Sequence, residues 1–219
     1  MPDTTMFEGE RRDMVEFQIR RRGIRDNRVL DAMLAVPRHE FVPPDYIGAA
    51  YQDRPLPIGE SETISQPYMV AVMSLAAGVE PDDKALEVGT GSGYQAAILA
   101  RLGAHVYTVE RNAELADAAR LRLERLGYTT VQVICGDGSE GYPAAAPYNV
   151  IVVTAGAPRI PPGLLDQLAE GGRLVIPVGG LTRQDLLLVF KHGGETATRV
   201  LDPCMFVPLV GKQAWHDKQ

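Results

Sequence analysis

Two textures of apolar spacing divide the chain. From Glu10 to Arg22 the sequence is heavily charged, yet Met14, Val15, Phe17 and Ile19 recur at helical spacing and Gly23 ends the run, which predicts an amphipathic helix. Asp26 suits the N-cap of a second helix whose Leu30, Met33 and Leu34 share a face and which must stop before Pro37. Pro37, Pro43, Pro44, Pro55 and Pro57 then crowd the stretch up to Gly59. That density predicts an ordered but irregular connection.

Beyond Gln66 the pattern becomes regular. Pro67 fits a first helical turn, and Tyr68 to Ala77 continues it as a mostly apolar helix. Short apolar runs predict strands at 85–88, 106–109, 131–135, 150–153, 174–178, 186–190 and 198–201. Longer runs predict helices at 94–102, 113–126 and 164–169, with Gly127 and then Gly171-Gly172 closing the last two. Strands that alternate with helices require crossover connections, and so a mainly parallel sheet covered on both faces. The last two strands have no helix between them and are expected to pair antiparallel at one side. The fold class is therefore α/β, a doubly wound and mostly parallel Rossmann-like sheet with an N-terminal helical extension. One domain is expected. Residues 1–60 form the helical and proline-rich extension, 61–211 the core and substrate loops, and 212–219 a tail.

Composition narrows the possibilities. At 219 residues, 45% hydrophobic and 23% charged, the chain can bury a sizeable core. Lys and Arg total 22 against 28 Asp and Glu, a formal net charge of −6, and so it lacks the positive field that nucleic-acid binding needs. The clusters Arg11-Arg12 and Arg20-Arg21-Arg22 read as a solvated helix face balanced by Glu8, Glu10, Asp13 and Glu16. Asp3, Glu8 and Glu10 stand where a signal peptide would be apolar, and no run approaches the roughly 20 apolar residues of a membrane span. Cys135 and Cys204 cannot build a disulfide framework, which suits reduced thiols and a cytoplasmic location. Cys135 is expected to be a buried strand residue and Cys204 a loop residue. His39, His105, His192 and His216 show no metal-ligand spacing, and no metal is expected.

The sharpest local signal is Leu86-Glu87-Val88-Gly89-Thr90-Gly91-Ser92-Gly93-Tyr94. It leaves a predicted strand and opens a predicted helix, where a doubly wound sheet binds ligands. Alternating Gly89, Gly91 and Gly93 permit a sharp turn and let a ligand approach the main chain. The dinucleotide fingerprint has a different glycine spacing, and no P-loop lysine is present. Glu87 would repel a pyrophosphate but suits a cationic ammonium or sulfonium, which favours S-adenosylmethionine over a nicotinamide cofactor. The plain alternative is a tight strand-to-helix connection.

Two further acids stand at the ends of the next two strands. Glu110, beside Arg111, lies about twenty residues past the turn, where an acid accepts hydrogen bonds from ribose hydroxyls; the alternative is a surface carboxylate. Asp137, in Gly136-Asp137-Gly138, could accept from an adenine amino group or simply close an Asx turn.

Around these residues the chain resembles the protein-L-isoaspartate (D-aspartate) O-methyltransferase family. The most specific segment is Thr63-Ile64-Ser65-Gln66-Pro67-Tyr68-Met69, joined by Val36-Pro37-Arg38, Phe41-Val42, the glycine turn, Gly136-Asp137-Gly138, Val153-Thr154-Ala155 and Phe206-Val207-Pro208-Leu209. The likeness runs from about Arg11 to Gly211. It implies methyl transfer from S-adenosylmethionine, leaving S-adenosylhomocysteine, to the free α-carboxylate of L-isoaspartyl residues and to D-aspartyl side chains in damaged proteins. The ester then collapses to a succinimide. By resemblance Glu87, Gly89, Thr90, Gly91, Ser92, Gly93, Glu110, Arg111, Asp137 and Gly138 hold the cofactor, and Ser65 matches the active-site hydroxyl. Ile58, Ile64, Ser65, Val207, Pro208 and Leu209 are candidate substrate contacts, with Pro55 and Pro57 nearby; plain packing is the alternative for these walls. Relatives often carry Arg, Ser or Ile where this chain has Met205, so electrostatic help to the substrate is not expected there. Two rival readings stay open at this point, a same-fold methyltransferase for a small molecule and a non-catalytic isoaspartyl-binding module. A monomer is expected.

Overall fold

A computed structural model describes residues 6–216; residues 1–5, with Asp3, and 217–219, the end of the expected tail, lie outside the described residues. The first helical run is one rod with three geometries. It begins as α1 (Met6–Asp13), widens to a π-helical stretch over Met14–Ile19 and tightens to a 3-10 turn over Arg20–Arg22 before Gly23. The wide stretch answers the sequence: a five-residue turn puts Met14 and Ile19 on one face, and both are fully buried. Helix α2 (Asn27–Ala35) is capped as expected, the Asp26 carboxylate accepting from the Val29 N–H at 3.0 Å. Two 3-10 turns, Arg38–Phe41 and Pro44–Ala49, follow.

The proline-rich stretch ends in an element that the apolar pattern does not predict. β1 (Leu56–Gly59) and β2 (Glu62–Ile64) form an antiparallel hairpin. Pro57 disguises the first strand, and Glu60 and Ser61 turn with φ of 51° and 60°, a left-handed conformation more usual for glycine. Helix α3 (Pro67–Ala77) starts on its proline and ends at Gly78.

The remaining elements run in the predicted alternation: β3 (Lys84–Val88), α4 (Tyr94–Arg101), β4 (His105–Glu110), α5 (Ala113–Arg125), β5 (Val131–Cys135), β6 (Tyr148–Val153), α6 (Pro162–Asp166), β7 (Leu168–Gly179), β8 (Gln184–His192) and β9 (Glu195–Cys204). Among the described residues these strands form one sheet in the order β5-β4-β3-β6-β7-β8-β9, parallel from β5 to β7 and antiparallel through β8 and β9. The expected Rossmann-like class and antiparallel final pair are both present. Because β3 has β4 on one side and β6 on the other, the winding reverses there. The carboxyl ends of those strands therefore border the natural binding crevice.

Two expectations need correction. The helix expected at 164–169 starts at Pro162 and stops at Asp166, and Gly171-Gly172 lie inside β7 rather than closing a helix. The pairing moves from Tyr148 with Leu168 to Val150 with Arg173, so the glycines occupy a bulge that absorbs extra residues. Cys135 is exposed, because β5 is a sheet edge, and Cys204 ends a strand instead of lying in a loop.

Strand alternation divides the core. Ala85, Val106, Val150 and Val152 pack toward α1, α2, α3 and α4 in one cluster that also holds Phe7, Met14 and Ile19. Leu86, Val88, Ile151 and Val153 face the other side with Leu164 and Leu209.

Candidate active site

The turn after β3 is shaped by close approach. Gly89 has φ +93°, and a Cβ there would lie 2.5 Å from Thr154 Oγ1. That hydroxyl, at the end of β6, donates to Gly89 O at 2.6 Å and lies 3.0 Å from Val88 O. Gly91, at φ +49°, would bring a Cβ to 3.2 Å from Ile58 Cδ1 of the hairpin. The hairpin thus lies over the turn, with Asn112 Nδ2 donating to Glu60 Oε2 at 3.1 Å beside it. Gly93 faces the Leu123 side chain, Ser92 Oγ accepts from Tyr94 N at 3.3 Å, and Ser92 O accepts from Arg122.

Beneath the turn lies a chain of buried polar groups. Thr90 Oγ1 and Thr108 Oγ1 are 2.6 Å apart, and Thr108 Oγ1 donates to Glu87 Oε2. Glu87 is fully buried, and its other oxygen, Oε1, has no partner. Burial pushes the Glu87 carboxyl up to about 8, aided by the charge on Glu110 and opposed by the Thr108 hydroxyl and the Ala96 N–H. An orphaned carboxylate oxygen on a cavity wall is a fitting partner for a cation.

Glu110 is no surface carboxylate, being 6% exposed. Its Oε2 accepts from Gly91 N at 2.9 Å and its Oε1 from Asn112 N at 3.0 Å. These two backbone donors fix the side chain and leave each oxygen capacity to accept from a hydroxyl. Across the cleft, Glu62 is raised by partial burial and then by Glu110.

Asp137 closes the Asx turn weighed from the sequence. Oδ1 accepts from Ser139 N and Oγ, and Oδ2 accepts from Lys212 N at 2.8 Å. Partial burial works against ionisation, but the N–H of Lys212 and the Ser139 groups outweigh it and hold this carboxyl below its ordinary value. The segment after β9 also laces onto the loop after β6: Gly156 N donates to Val207 O at 2.7 Å, Leu209 N to Gly156 O at 2.8 Å, and Trp215 Nε1 to Gly156 O at 3.1 Å.

Three cavities meet over this frame. A cleft of about 520 Å³ is bounded by Gly89, Gly91, Glu110, Arg111, Gly138 and Leu209, with Val207 and Pro208 on its rim. A smaller one of about 320 Å³ is bounded by Ile64, Ser65, Glu87, Thr90, Ser92 and Tyr94. A third, of about 750 Å³, opens between Pro55, Ser65, Met69, Met205, Phe206 and Val207. Thr63 and Thr154 line all three, and Ser65 lines the last two. The turn glycines Gly89 and Gly91, the acids Glu87 and Glu110, and Ser65 thus come together as one connected site. Of the six candidate substrate contacts, Ser65 and Val207 reach the third cavity; Ile64, Pro208 and Leu209 line the other two, and Ile58 covers Gly91. Asp137 borders a separate opening with Arg111, Lys212 and His216.

Thr63 and Thr154 are the residues that sequence reasoning misses. Thr154 stood inside a recognised segment, but its position at the reversal of the winding becomes meaningful only once β6 is known to lie beside β3.

Comparison with known proteins agrees with this geometry. The family model described as protein-L-isoaspartate(D-aspartate) O-methyltransferase matches residues 9–214. A protein-L-isoaspartate O-methyltransferase of Koribacter versatilis is 56% identical over 214 residues, covering 98% of this chain and 96% of the relative. One from Methanoculleus marisnigri is 56% identical over 207 residues, covering 94% of each. A solved protein-L-isoaspartate O-methyltransferase superposes with a TM-score of 0.85 at 31% identity, over 93% of this chain and 67% of the other. A structure from Plasmodium falciparum, in complex with S-adenosyl-L-homocysteine, matches with a TM-score of 0.79 at 28% identity, over 90% of this chain and 97% of that one. Matched by the family model over residues 9–214 and by relatives 56% identical over nearly their whole length, the chain belongs to the protein-L-isoaspartate(D-aspartate) O-methyltransferase family.

Proposed function

We propose that the protein methylates the free α-carboxylate of L-isoaspartyl residues, and the side-chain carboxylate of D-aspartyl residues, in damaged proteins, with S-adenosylmethionine as donor. The observation that carries this reading is the position of Ser65 on the wall between the cavity holding Glu87 and the uncharged cavity lined by Met69, Met205, Phe206 and Val207. A donor on one side and an acceptor on the other would meet at its hydroxyl.

S-adenosylmethionine, when bound, supplies a methyl group on a sulfonium with a neutral leaving group. Glu87 meets its cationic end and Glu110 its ribose hydroxyls, with Gly89, Thr90, Gly91, Ser92 and Gly93 as the backbone cradle. Arg111, Asp137 and Gly138 border the adenine end. The acceptor carboxylate, with an ordinary pKa near 4, is already ionised at neutral pH and needs no general base. Ser65 donates to it and fixes its direction, while the side chains of Met69, Phe206 and Val207 keep water from it. Alignment of this kind is worth about 7–11 kcal/mol of barrier.

An isoaspartyl linkage differs from an aspartyl one in the path of the main chain, which suits a pocket without charged walls. The working unit is one domain, a monomer in the cytoplasm, acting on proteins and peptides rather than on nucleic acid or membranes. Labelled cofactor should transfer its methyl group to an isoaspartyl peptide as a base-labile ester, releasing methanol. Equal labelling of the aspartyl twin, or binding with no transfer, would overturn the reading.

A further inference from the structure

Arg38 is fully buried, and two of its donors bond backbone carbonyls. Nε donates to Ala50 O and Nη2 to Ser65 O, each at 2.8 Å. Nη1 is buried with no partner, and the guanidinium carbon lies 4.9 Å from the centre of the Tyr94 ring. Burial lowers its pKa to about 10, the neighbouring Tyr94 hydroxyl working against the shift, which leaves it charged at neutral pH.

A well-packed apolar side chain would serve stability at least as well as a desolvated cation with an orphaned donor. What a guanidinium adds is a rigid planar fork that spans two acceptors at once. The place where the fork points matters. Ser65 has just left β2, and the helix that follows begins on Pro67, which has no N–H to bind back. Gln66 Nε2 reaches Asp53 O at 3.1 Å, so the donors of Arg38 and Gln66 stitch residues 65–66 to residues 50–53. Tyr94, on which the guanidinium rests, opens α4 directly after the glycine turn and lines the same cavity as Ser65. One side chain therefore touches both the acceptor-side segment and the donor-side turn.

We propose that Arg38 is a positioning residue for methyl transfer, which holds the Ser65 carbonyl against the donor-side frame and so sets where the Ser65 hydroxyl stands. The proposal rests on the reading of Ser65 as the hydroxyl that meets the acceptor carboxylate. Lysine keeps the charge but cannot span Ala50 O and Ser65 O with a planar fork.

The test uses Arg38→Lys, Arg38→Gln, Ser65→Ala and the double variant Arg38→Lys/Ser65→Ala. Sites are counted by calorimetric titration with S-adenosylhomocysteine, and kcat on an isoaspartyl peptide is expressed per site. Arg38→Lys should lower kcat per site by roughly ten- to hundredfold, the loss that a displacement near 1 Å produces. Its Kd for S-adenosylhomocysteine should stay within about twofold, and the double variant should lose no more than Ser65→Ala alone, since the two act through one group. A merely structural role would lower the thermal midpoint and leave kcat per site unchanged, and that result overturns the proposal. Additive losses in the double variant overturn it too, as does failure of both the Lys and Gln variants to fold. Full turnover in Ser65→Ala removes the reading of Ser65 and the inference with it. Lost turnover in Ser65→Ala beside normal turnover in Arg38→Lys removes the inference alone.

Discussion

Thr108 Oγ1 donates to Glu87 Oε2 at 2.5 Å, from the neighbouring strand, while Glu87 Oε1 faces no partner. Glu87 gives the ligand-free protein a pH-dependent contribution to stability. Glu87 has a folded value raised by burial to about 8, against 4.5 when exposed. The folded state therefore holds a proton that the unfolded chain has released, and stability falls as pH rises from about 4.5 to about 8. Glu87→Gln should remove that slope. In thermal melts without ligand, the variant should match the wild type near pH 4.5 and exceed it at pH 8, by on the order of a few kcal/mol. Parallel melting curves for the two proteins across that range would refute the account.

The same group should couple cofactor binding to protons. In the role proposed for it, Glu87 attracts the ammonium of S-adenosylhomocysteine only when ionised, and burial, which raises its pKa to about 8, keeps it mostly neutral below that pH. Affinity should rise between pH 6 and 8, at most about tenfold per unit, with proton release visible as a buffer-dependent heat. Glu87→Gln should bind more weakly at pH 8 and show a flat profile.

How much of this could be read from the chain alone depends on the range of the interaction. The glycine turn, the acids Glu87 and Glu110, and the cap at Asp26 are local patterns, and the structure has them where periodicity and spacing put them. The β1–β2 hairpin escaped because Pro57 reads as a strand breaker and its turn uses Glu60 and Ser61 where a left-handed glycine is the usual signal. The bulge at Gly171-Gly172 escaped because nothing local distinguishes a helix stop from a bulge until the partner strand is known. Arg38 was legible only as part of a resemblance. Its partners at 50, 65 and 94 are set by packing between segments distant in sequence.

Gly138 should be intolerant for a steric reason. An added Cβ would lie 2.6 Å from Val88 Cγ1, a buried methyl group under the cleft. Gly138→Ala should destabilise by about 1–3 kcal/mol, seen as a lowered thermal midpoint together with weaker S-adenosylhomocysteine binding. Gly48→Ala, where nothing stands within 4 Å, is the control and should leave both unchanged.

Met205 is 75% exposed on the rim of a cavity lined by no charged side chain. Met205→Arg should lower KM for isoaspartyl peptides with an acidic neighbour and raise it for those with a basic one. The change should be up to about fivefold, the range of an exposed ion pair. The thermal midpoint should not move. Identical KM shifts for both peptides would show that the rim does not touch the flanking residue.

The lacing of Val207, Leu209, Lys212 and Trp215 onto Gly156 and Asp137 has a consequence for biosynthesis. A ribosome makes the glycine turn long before it makes the strip that borders the same cleft, so a growing chain carries half a cleft. Methylating power should switch on abruptly as that strip clears the exit tunnel. Stalled chains carrying C-terminal linkers of graded length would reveal the step.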